Sequence, residues 1–392
     1  MTKRKAANGS GTIIKRKDGR YEGRYVVGND PGTGKLIRRS VYASTQSECR
    51  KKLHAAIAAI DAGTYMEPSK MTVGQWLDIW HRDYLGCVRQ STVASYESKI
   101  KTYLKPNLGA VKLAALKPHQ VQALYNKLAK SDQNPEGLSA KSIKNLHGAL
   151  HKALKQAVLL GYIRSNPTEG CVLPRAEKKE VCFLEENEIQ RFLEGIRGHH
   201  FERIYKVDLF TGLRQGEILG LTWDCVNFDT GVLTINKQLV KEHKKGGQYF
   251  LANCKTDRVR RIKPAEFVMD TLKQQRAIQR EDRLRAGSFW QNEWDLVFTN
   301  EIGGHLCATT VYNHFKKIVK SLDMPSVRFH DMRHTYAMLS LQNGDDIKTV
   351  QQNVGHSTAS FTLDVYGHVS DRMQKESANR MQSFYNGLAQ AK

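Results

Sequence analysis

The sequence lacks the features that define several large classes of protein. Its seven cysteines are scattered and none forms a Cys-x-x-Cys pair, which argues against a zinc knuckle or a disulfide framework and favours a reducing compartment. No stretch approaches the ~18 apolar residues of a membrane span, and the basic start MTKRKAANGS precedes no apolar core of a secretory signal. No internal repeat or low-complexity segment is apparent. We therefore expect a cytoplasmic protein with no membrane partner.

Acidic residues are scarce relative to basic ones. The 392 residues hold 39 Asp and Glu against 61 Lys and Arg, a net charge of +22. Residues 1–70 carry 15 basic and 6 acidic side chains, and residues 71–170 carry 14 and 6, which leaves +5 for the other 222 residues. A surface that is basic only for solubility would spread its charge more evenly. The distribution therefore indicates a polyanionic partner such as nucleic acid.

The apolar pattern predicts a multidomain protein that is mainly α with small β parts. Residues 1–65 are typical of a βββα unit, residues 72–170 of an all-helical domain, and residues 180–392 of a mixed α/β domain. Thr45 and Glu48 form a capping box that begins the helix of the first domain. The predicted strands of the first domain are 12–17, 20–27 and 35–42, and the predicted helices of the second begin at Thr72 and cover 91–103, 117–128 and 140–160.

The third domain is predicted to hold one β insertion among its helices. The turn signal between the last two strands of this insertion places Lys255 at the tip of a hairpin. The predicted strands are 232–240, 248–253 and 258–262, and the predicted helices are 264–286, 309–322, 330–343, 346–354, 357–365 and 371–392.

Two basic surfaces are expected to contact DNA. A three-stranded sheet that bears arginine and tyrosine can lie in a major groove, and lysines along the polar face of helix 140–160 suit phosphate contact. For both surfaces the ordinary alternative is a solvated cationic face. The residues expected to bind DNA are Lys15, Arg20, Arg24, Arg38 and Arg39 on the sheet, and Lys141, Lys144 and Lys152 on the helix.

Six polar residues of the third domain form a candidate catalytic set. They combine cations, imidazoles and a phenol without a cluster of carboxylates, which suits an anionic, phosphate-centred transition state handled without a metal. Singly, most have an ordinary alternative, such as an ion pair between Arg214 and Glu217. His330 and His334 are spaced like a zinc pair, but no third ligand is apparent. The set is Arg214, Lys255, His330, Arg333, His356 and Tyr366.

The ordered combination is far more specific than its members. The strings TGLRQGEILGLTW, FHDMRHTYA and VGHSTASFTLDVYGH, with a hairpin lysine between the first two, resemble the tyrosine recombinase (phage integrase) family. The resemblance covers nearly the whole chain. It implies an arm-binding domain, a core-binding (SAM-like) domain and a catalytic domain, in that order. It also implies a site-specific recombinase of the kind that integrates and excises phages and conjugative transposons.

The resemblance also implies a role for each member of the set. Tyr366 would attack a phosphodiester to give a 3′-phosphotyrosyl link, while Arg214 and Arg333 neutralise the transition state. Lys255 would protonate the leaving 5′ oxygen, His330 would accept or relay the tyrosine proton, and the second histidine would bind the phosphate. Because the phosphotyrosyl bond keeps the energy of the phosphodiester, we expect no metal, cofactor or ATP.

The implied partners are double-stranded DNA at core and arm sites, a homotetramer on that DNA, and an excisionase or DNA-bending protein. The implied location is the nucleoid of a bacterial host. Two alternatives use the same scaffold: a type I topoisomerase-like nicking-closing enzyme and a non-catalytic DNA-binding regulator. The N-terminal sheet and the segment after Tyr366 argue against the first alternative, and the complete six-residue set argues against the second.

Overall fold

The chain forms two compact units, Met1–Glu177 and Lys178–Lys392. The predicted division of the first unit into a sheet domain and a helical domain stays a prediction. Among the described residues, no helix is long and apolar enough to cross a membrane. The computed structural model describes residues 11–30, 32–62, 70–132, 134–175, 182–242, 246–254, 259–356, 378–379 and 381–386.

The first unit begins with an antiparallel sheet in the order β1 (Thr12–Lys15), β2 (Tyr21–Asn29) and β3 (Leu36–Ala43), which is followed by the helix α1 (Gln46–Asp61). Thr45 begins the helix that follows, because its side chain accepts a hydrogen bond from the Glu48 N–H at 3.2 Å. At Gly23 in β2, a Cβ would lie 3.0 Å from Val41 and 3.2 Å from Cys49, so glycine permits the close packing of the helix on this face of the sheet.

The helical part of the first unit packs around buried aromatic and aliphatic side chains. Trp76 is fully buried and donates its indole N–H to the Ala153 carbonyl at 2.9 Å, which joins the first and last of these helices. The predicted helix 91–103 is α-helical only to Lys99 and continues as a π-helical turn, Ile100–Leu104, which ends two residues before Pro106. The helices are α2 (Val73–Asp83), α3 (Gln90–Lys99), α4 (Lys105–Leu108), α5 (Pro118–Leu128) and α6 (Ala140–Leu159).

In its described residues the second unit packs helices and two small antiparallel sheets around a large apolar core, and the helices Phe329–Gln342 and Ile347–Val354 share a smaller apolar cluster. Its helices are α7 (Glu186–Gly195), α8 (Glu202–Leu209), α9 (Gln215–Leu219), α10 (Glu266–Ala286), α11 (Ala308–Ser321), α12 (Phe329–Gln342) and α13 (Ile347–Val354). Its strands are β4 (Val226–Asn227), β5 (Val232–Ile235), β6 (Lys237–Lys241), β7 (Tyr249–Asn253) and β8 (Arg260–Ile262). They pair in the orders β4-β5-β8 and β6-β7.

One predicted strand of the β insertion is wrong. The expected strand 232–240 is two strands, because the chain changes its pairing partner at Asn236, from β8 before it to β7 after it. The predicted hairpin tip at Lys255 and the predicted helix 357–365 lie outside the described residues. Of the predicted helix 371–392, residues 378–379 and 381–386 are described, and they are helical.

Candidate active site

Arg333 lies at the centre of the candidate site. Its side chain projects from α12, is only 1% exposed, and donates from Nη1 to the Gly212 carbonyl at 2.7 Å and from Nη2 to the Val354 carbonyl. Gly212 has a φ of +61°, and a Cβ there would lie 2.6 Å from the ring of Tyr336. Glycine is therefore required at this turn, which follows α8 and brings a carbonyl to the guanidinium.

Arg214 follows the same turn and precedes α9. Its Nη1 and its backbone N–H bond the two carboxylate oxygens of Glu217 at 2.7 and 2.9 Å, so the ion pair considered from the sequence is present. Its Nη2 donates to the Gly355 carbonyl at 2.9 Å. The Arg214 side chain remains 23% exposed, so part of it is accessible from solvent.

Glu217 is the anion that holds these cations, and its side chain is fully buried. Arg260 on β8 donates to both of its oxygens, at 3.0 and 2.6 Å. Burial alone would raise the pKa of Glu217, but the hydrogen bonds and charges of Arg260 and Arg214 outweigh burial and hold the pKa at about 2. Glu217 is therefore ionised throughout the physiological range.

Three successive carbonyls at the C-terminal end of α13 accept hydrogen bonds from three arginines. The carbonyl of Asn353 accepts from Arg260 Nε at 3.0 Å. The carbonyl of Val354 accepts from Arg333, and that of Gly355 accepts from Arg214. Cations at this end complement the partial negative charge of a helix C-terminus. Gly355 ends the helix with a φ of +65°, and the next N–H, that of His356, returns to the Gln351 carbonyl at 3.1 Å. This turn fixes the backbone that carries His356.

Three histidines lie beside the arginines, and burial lowers the pKa of each. Burial, followed by the charges of Arg333 and Arg214, lowers the pKa of His356 to about 3. Burial and the neighbouring His330 lower the pKa of His334 to about 4. His330 keeps an exposed edge, yet loss of solvent around the rest of its ring and the same two arginines lower its pKa as well. A neutral imidazole can donate one hydrogen bond from one ring nitrogen and accept one at the other.

The zinc alternative concerns His330 and His334, whose ring centroids are 5.0 Å apart on α12. Asp331, which stands where zinc proteases have glutamate, instead receives the Arg328 backbone N–H at 2.8 Å and its guanidinium at 2.6 Å. Within the part of the chain that the structure describes, no three His, Cys, Asp or Glu side chains form a group that could hold a metal.

The structure thus brings together Arg214, His330, Arg333 and His356 from three separate segments of the chain. Lys255 and Tyr366 lie outside the described residues. Other tyrosines of the second unit are described: the Tyr249 hydroxyl lies 3.0 Å from the Cys307 sulfur, Tyr312 is exposed on α11, and the Tyr336 hydroxyl accepts a hydrogen bond from Asn353 at 3.1 Å.

Two protein families match most of the chain. The Phage integrase family matches residues 182–373, and the Phage integrase, N-terminal SAM-like domain matches residues 72–129. A tyrosine recombinase XerC-like protein of Caldanaerobacter subterraneus subsp. tengcongensis is 30% identical over 383 residues, which cover 93% of this chain and 96% of that protein. The chain belongs to the phage integrase family of tyrosine recombinases. It is a site-specific recombinase, as the sequence motifs predicted.

Other relatives agree in length and fold. The ICEBs1 integrase of Bacillus subtilis is 24% identical over 394 residues, covering 94% of this chain and 99% of that one. The Tn1549 transposon integrase, solved with circular intermediate DNA, is 22% identical with a TM-score of 0.66 over 79% of this chain and 99% of that one. A lambda integrase tetramer bound to a Holliday junction is 19% identical with a TM-score of 0.55, covering 91% and 98%. The predicted fold class is confirmed.

Sequence reasoning did not find two residues of the recombinase's charged cluster. Arg260 stands in the basic run DRVRRI, but it shares a strand face with buried Ile262, and this alternation could have marked it as inward-facing. Asp208 on α8 is fully buried, and neither carboxylate oxygen has a hydrogen-bond partner among the described residues. Burial raises its pKa well above the ordinary value, against the opposing charge of Arg333. An acidic residue within KVDLF gives no sequence signal of this environment.

The residues predicted to bind DNA are all exposed. Strand register places Arg24 and Arg38 on the face of the sheet opposite α1, whereas Lys15 and Arg39 pair with tyrosines of the α1 face. Arg20 lies in the turn before β2 and bonds Asp18 at 2.8 Å. Lys141, Lys144 and Lys152 lie along the exposed side of α6, and Lys152 also sits 5.8 Å from the centre of the Tyr96 ring.

Proposed function

We propose that this recombinase cuts and rejoins double-stranded DNA through a 3′-phosphotyrosyl intermediate on Tyr366, and thereby integrates and excises a mobile element. One observation carries the proposal. Arg333 bonds the turn at Gly212, Arg214 bonds the turn at Gly355, and His330 and His356 lie beside these two arginines. Relatives named for an integrative element and a transposon support the biological role.

The charge of the cluster suits phosphoryl transfer. Arg214, Arg260 and Arg333 carry three positive charges, and Glu217 carries one negative charge. Burial opposes ionisation of Asp208, so the cluster has a net charge of +2 when that residue is protonated. A pentacoordinate phosphate carries about two negative charges, whereas the ground-state diester carries one. Fixed cations therefore stabilise the transition state more than the substrate.

The proposed role of the histidines is to donate a hydrogen bond or accept a proton, not to supply positive charge. A neutral His356 can donate one N–H to a phosphate oxygen, and the arginine-clamped turn holds it in place for that bond. A neutral His330 can accept the proton of the attacking phenol, whose ordinary pKa is ~10. Lys255 completes the proposal as the acid for the leaving 5′ oxygen. This chemistry uses side chains alone and implies no metal, cofactor or ATP.

We further propose that the protein acts as a homotetramer, as the lambda integrase tetramer on a Holliday junction supports. Exchange of two pairs of strands requires four nucleophiles in one complex. The described part of the C-terminal helix exposes apolar side chains, with Met381, Phe384 and Tyr385 between 65% and 68% exposed. This exposure supports docking of residues 371–392 on a neighbouring protomer.

The domain assignment completes the proposal. Residues 1–65 would read arm sites through the sheet, and residues 72–170 would bind the core site, with the lysines of α6 on phosphates. An excisionase or a DNA-bending protein would assist at arm sites, and DNA binding would place the enzyme at the nucleoid.

Cleavage of a suicide substrate tests the proposal. In excess EDTA, wild-type protein should form a covalent adduct, and Tyr366→Phe should bind the same DNA without forming one. Tyr336→Phe is the matched control, because its hydroxyl lies beside the cluster and bonds Asn353. An adduct that survives in Tyr366→Phe contradicts the assignment, and cleavage that requires added metal contradicts the mechanism. Relaxation of a plasmid without any recombination site would indicate the topoisomerase alternative.

A further inference from the structure

The sheet face opposite α1 contains a buried carboxylate. Glu22 in β2 is only 7% exposed, although its neighbours on this face are open to solvent. Register places it between Ile14 on β1 and Tyr42 on β3, in the middle of the sheet. A carboxylate is an unexpected group at the centre of a surface proposed to approach DNA, because phosphates repel it.

Glu22 holds Arg24 in one orientation. Arg24 donates from Nε to one carboxylate oxygen at 3.1 Å and from Nη2 to the other at 3.3 Å, and Ser40 Oγ donates to the first at 2.8 Å. Arg16 approaches the second oxygen at 3.6 Å. The inner edge of the Arg24 guanidinium is therefore fixed. The Arg24 side chain is 55% exposed, and its Nη1 has no hydrogen-bond partner among the residues that the structure describes.

We propose that Arg24, positioned by Glu22, reads a guanine in the major groove and sets the sequence specificity of the sheet. This inference rests on the proposed function of the sheet as the reader of arm sites. When a carboxylate bonds the Nε and Nη2 side of an arginine, the N–H groups at the far end of the guanidinium remain available. Two of these N–H groups can bond the O6 and N7 atoms of one guanine together. A fixed guanidinium also loses little conformational freedom when it binds.

The rest of the face suits base edges better than phosphates. Ile14, Val26 and Tyr42 are each between 40% and 44% exposed and lie on the same face as Arg24. Apolar side chains there can contact thymine methyl groups. The guanidinium of Arg16 lies 5.4 Å from the centre of the Tyr42 ring, which orders a second cation at the edge of this surface. A surface that only bound phosphate would gain nothing from a central carboxylate.

A purely structural role for Glu22 is the competing explanation. Tying three strands together does not require an ionised group, since a threonine or valine at this position would pair the strands at a lower cost in desolvation. What the carboxylate adds is a fixed direction for Arg24. The two explanations therefore differ in whether loss of the clamp changes recognition of one base pair.

The test uses the full-length protein and selection of binding sites from random duplex DNA. Wild type should enrich a motif whose affinity depends on one G·C pair, with replacement of that guanine costing about 5- to 150-fold. Arg24→Lys keeps the positive charge but lacks the paired N–H donors of the guanidinium, and it should abolish most of the preference for guanine. Glu22→Gln keeps the arginine but weakens the clamp, and it should lower the discrimination. Arg50→Lys is the matched control, because Arg50 is exposed on α1, which packs on the opposite face of the sheet, and this variant should behave as wild type.

The pattern of affinities separates the outcomes. If Arg24→Lys weakens binding to every sequence equally, or leaves the dependence on guanine unchanged, Arg24 does not read a base and the inference is wrong. If Glu22→Gln retains full discrimination while Arg24→Lys loses it, the positioning role of Glu22 is wrong. Failure of the proposed function looks different: Arg24→Ala and Arg38→Ala would then leave affinity for all DNA unchanged, which would show that the sheet does not bind DNA.

Discussion

Glu217→Gln should destabilise the catalytic unit by about 3–5 kcal/mol, because it removes the buried counter-charge that Arg214 and Arg260 share. Arg214 and Arg260 both bond this carboxylate, and the Arg260 side chain is only 10% exposed. The lowering of the Glu217 pKa from 4.5 to about 2 corresponds to about 3 kcal/mol, which agrees with that range. Because the pKa is lowered in the folded state, this stabilisation is complete above about pH 5. It is lost progressively as the pH falls from there through about 2.

Hydrogen–deuterium exchange in peptides of α9 and α12 measures this loss within the catalytic unit alone. That readout avoids a single unfolding fit to a protein of two compact units. The matched control is Glu281→Gln, because Glu281 is 66% exposed and pairs with Arg285 at 3.5 Å, an arrangement expected to contribute less than about 0.5 kcal/mol. Equal protection of α9 and α12 in the two variants would show that the buried network does not stabilise the site.

Three further changes probe the same unit and its assembly. Gly212→Ala should lower the rate of single-turnover cleavage at least about tenfold. The new Cβ would lie 2.6 Å from the Tyr336 ring and would move the Gly212 carbonyl that accepts from Arg333. Gly231→Ala is the control, because Gly231 has a similar φ and no close neighbour, and its cleavage rate should stay near that of wild type. Asp208→Asn should raise the melting temperature at pH 8 more than at pH 4, because the raised pKa of the carboxyl makes folding take up a proton above pH 4; an equal change at both pH values would show that Asp208 is ionised in the fold. Deletion of residues 372–392 should leave half-site binding intact and abolish the four-protomer complex in gel shifts, and a deletion that unfolds the catalytic unit would assign the helix to its own core.

Local patterns predicted most of the fold. Alternation and turn residues placed the N-terminal strands, and the apolar stripe placed α6, because these signals depend on neighbours in the sequence. The predictions were wrong where distant parts of the chain decide the structure. The strand 232–240 divides at Asn236 because two different strands pair with its halves. A second difference is local: the helix that begins at Gln90 changes to a π-helical turn at Ile100, a detail that the periodicity of apolar residues does not reveal.

The candidate site was predicted as a set of residues, but not as a network. The spacing of motifs singled out Arg214 and Arg333, and the structure places both beside His356. That three arginines would bond three successive carbonyls at the end of α13 could not be read from the sequence. Those bonds join segments more than 90 residues apart in two cases, and no local pattern encodes such a contact.

The most direct test of the proposed mechanism is to identify the residue that carries the DNA. Full-length protein would be trapped on a nicked suicide substrate in EDTA, digested with nuclease and trypsin, and analysed by mass spectrometry. We predict a nucleotide joined through a 3′-phosphate to the peptide that contains Tyr366, with unmodified Tyr312 and Tyr336. A nucleotide on any other residue, or cleavage without a covalent adduct, would contradict the proposed mechanism.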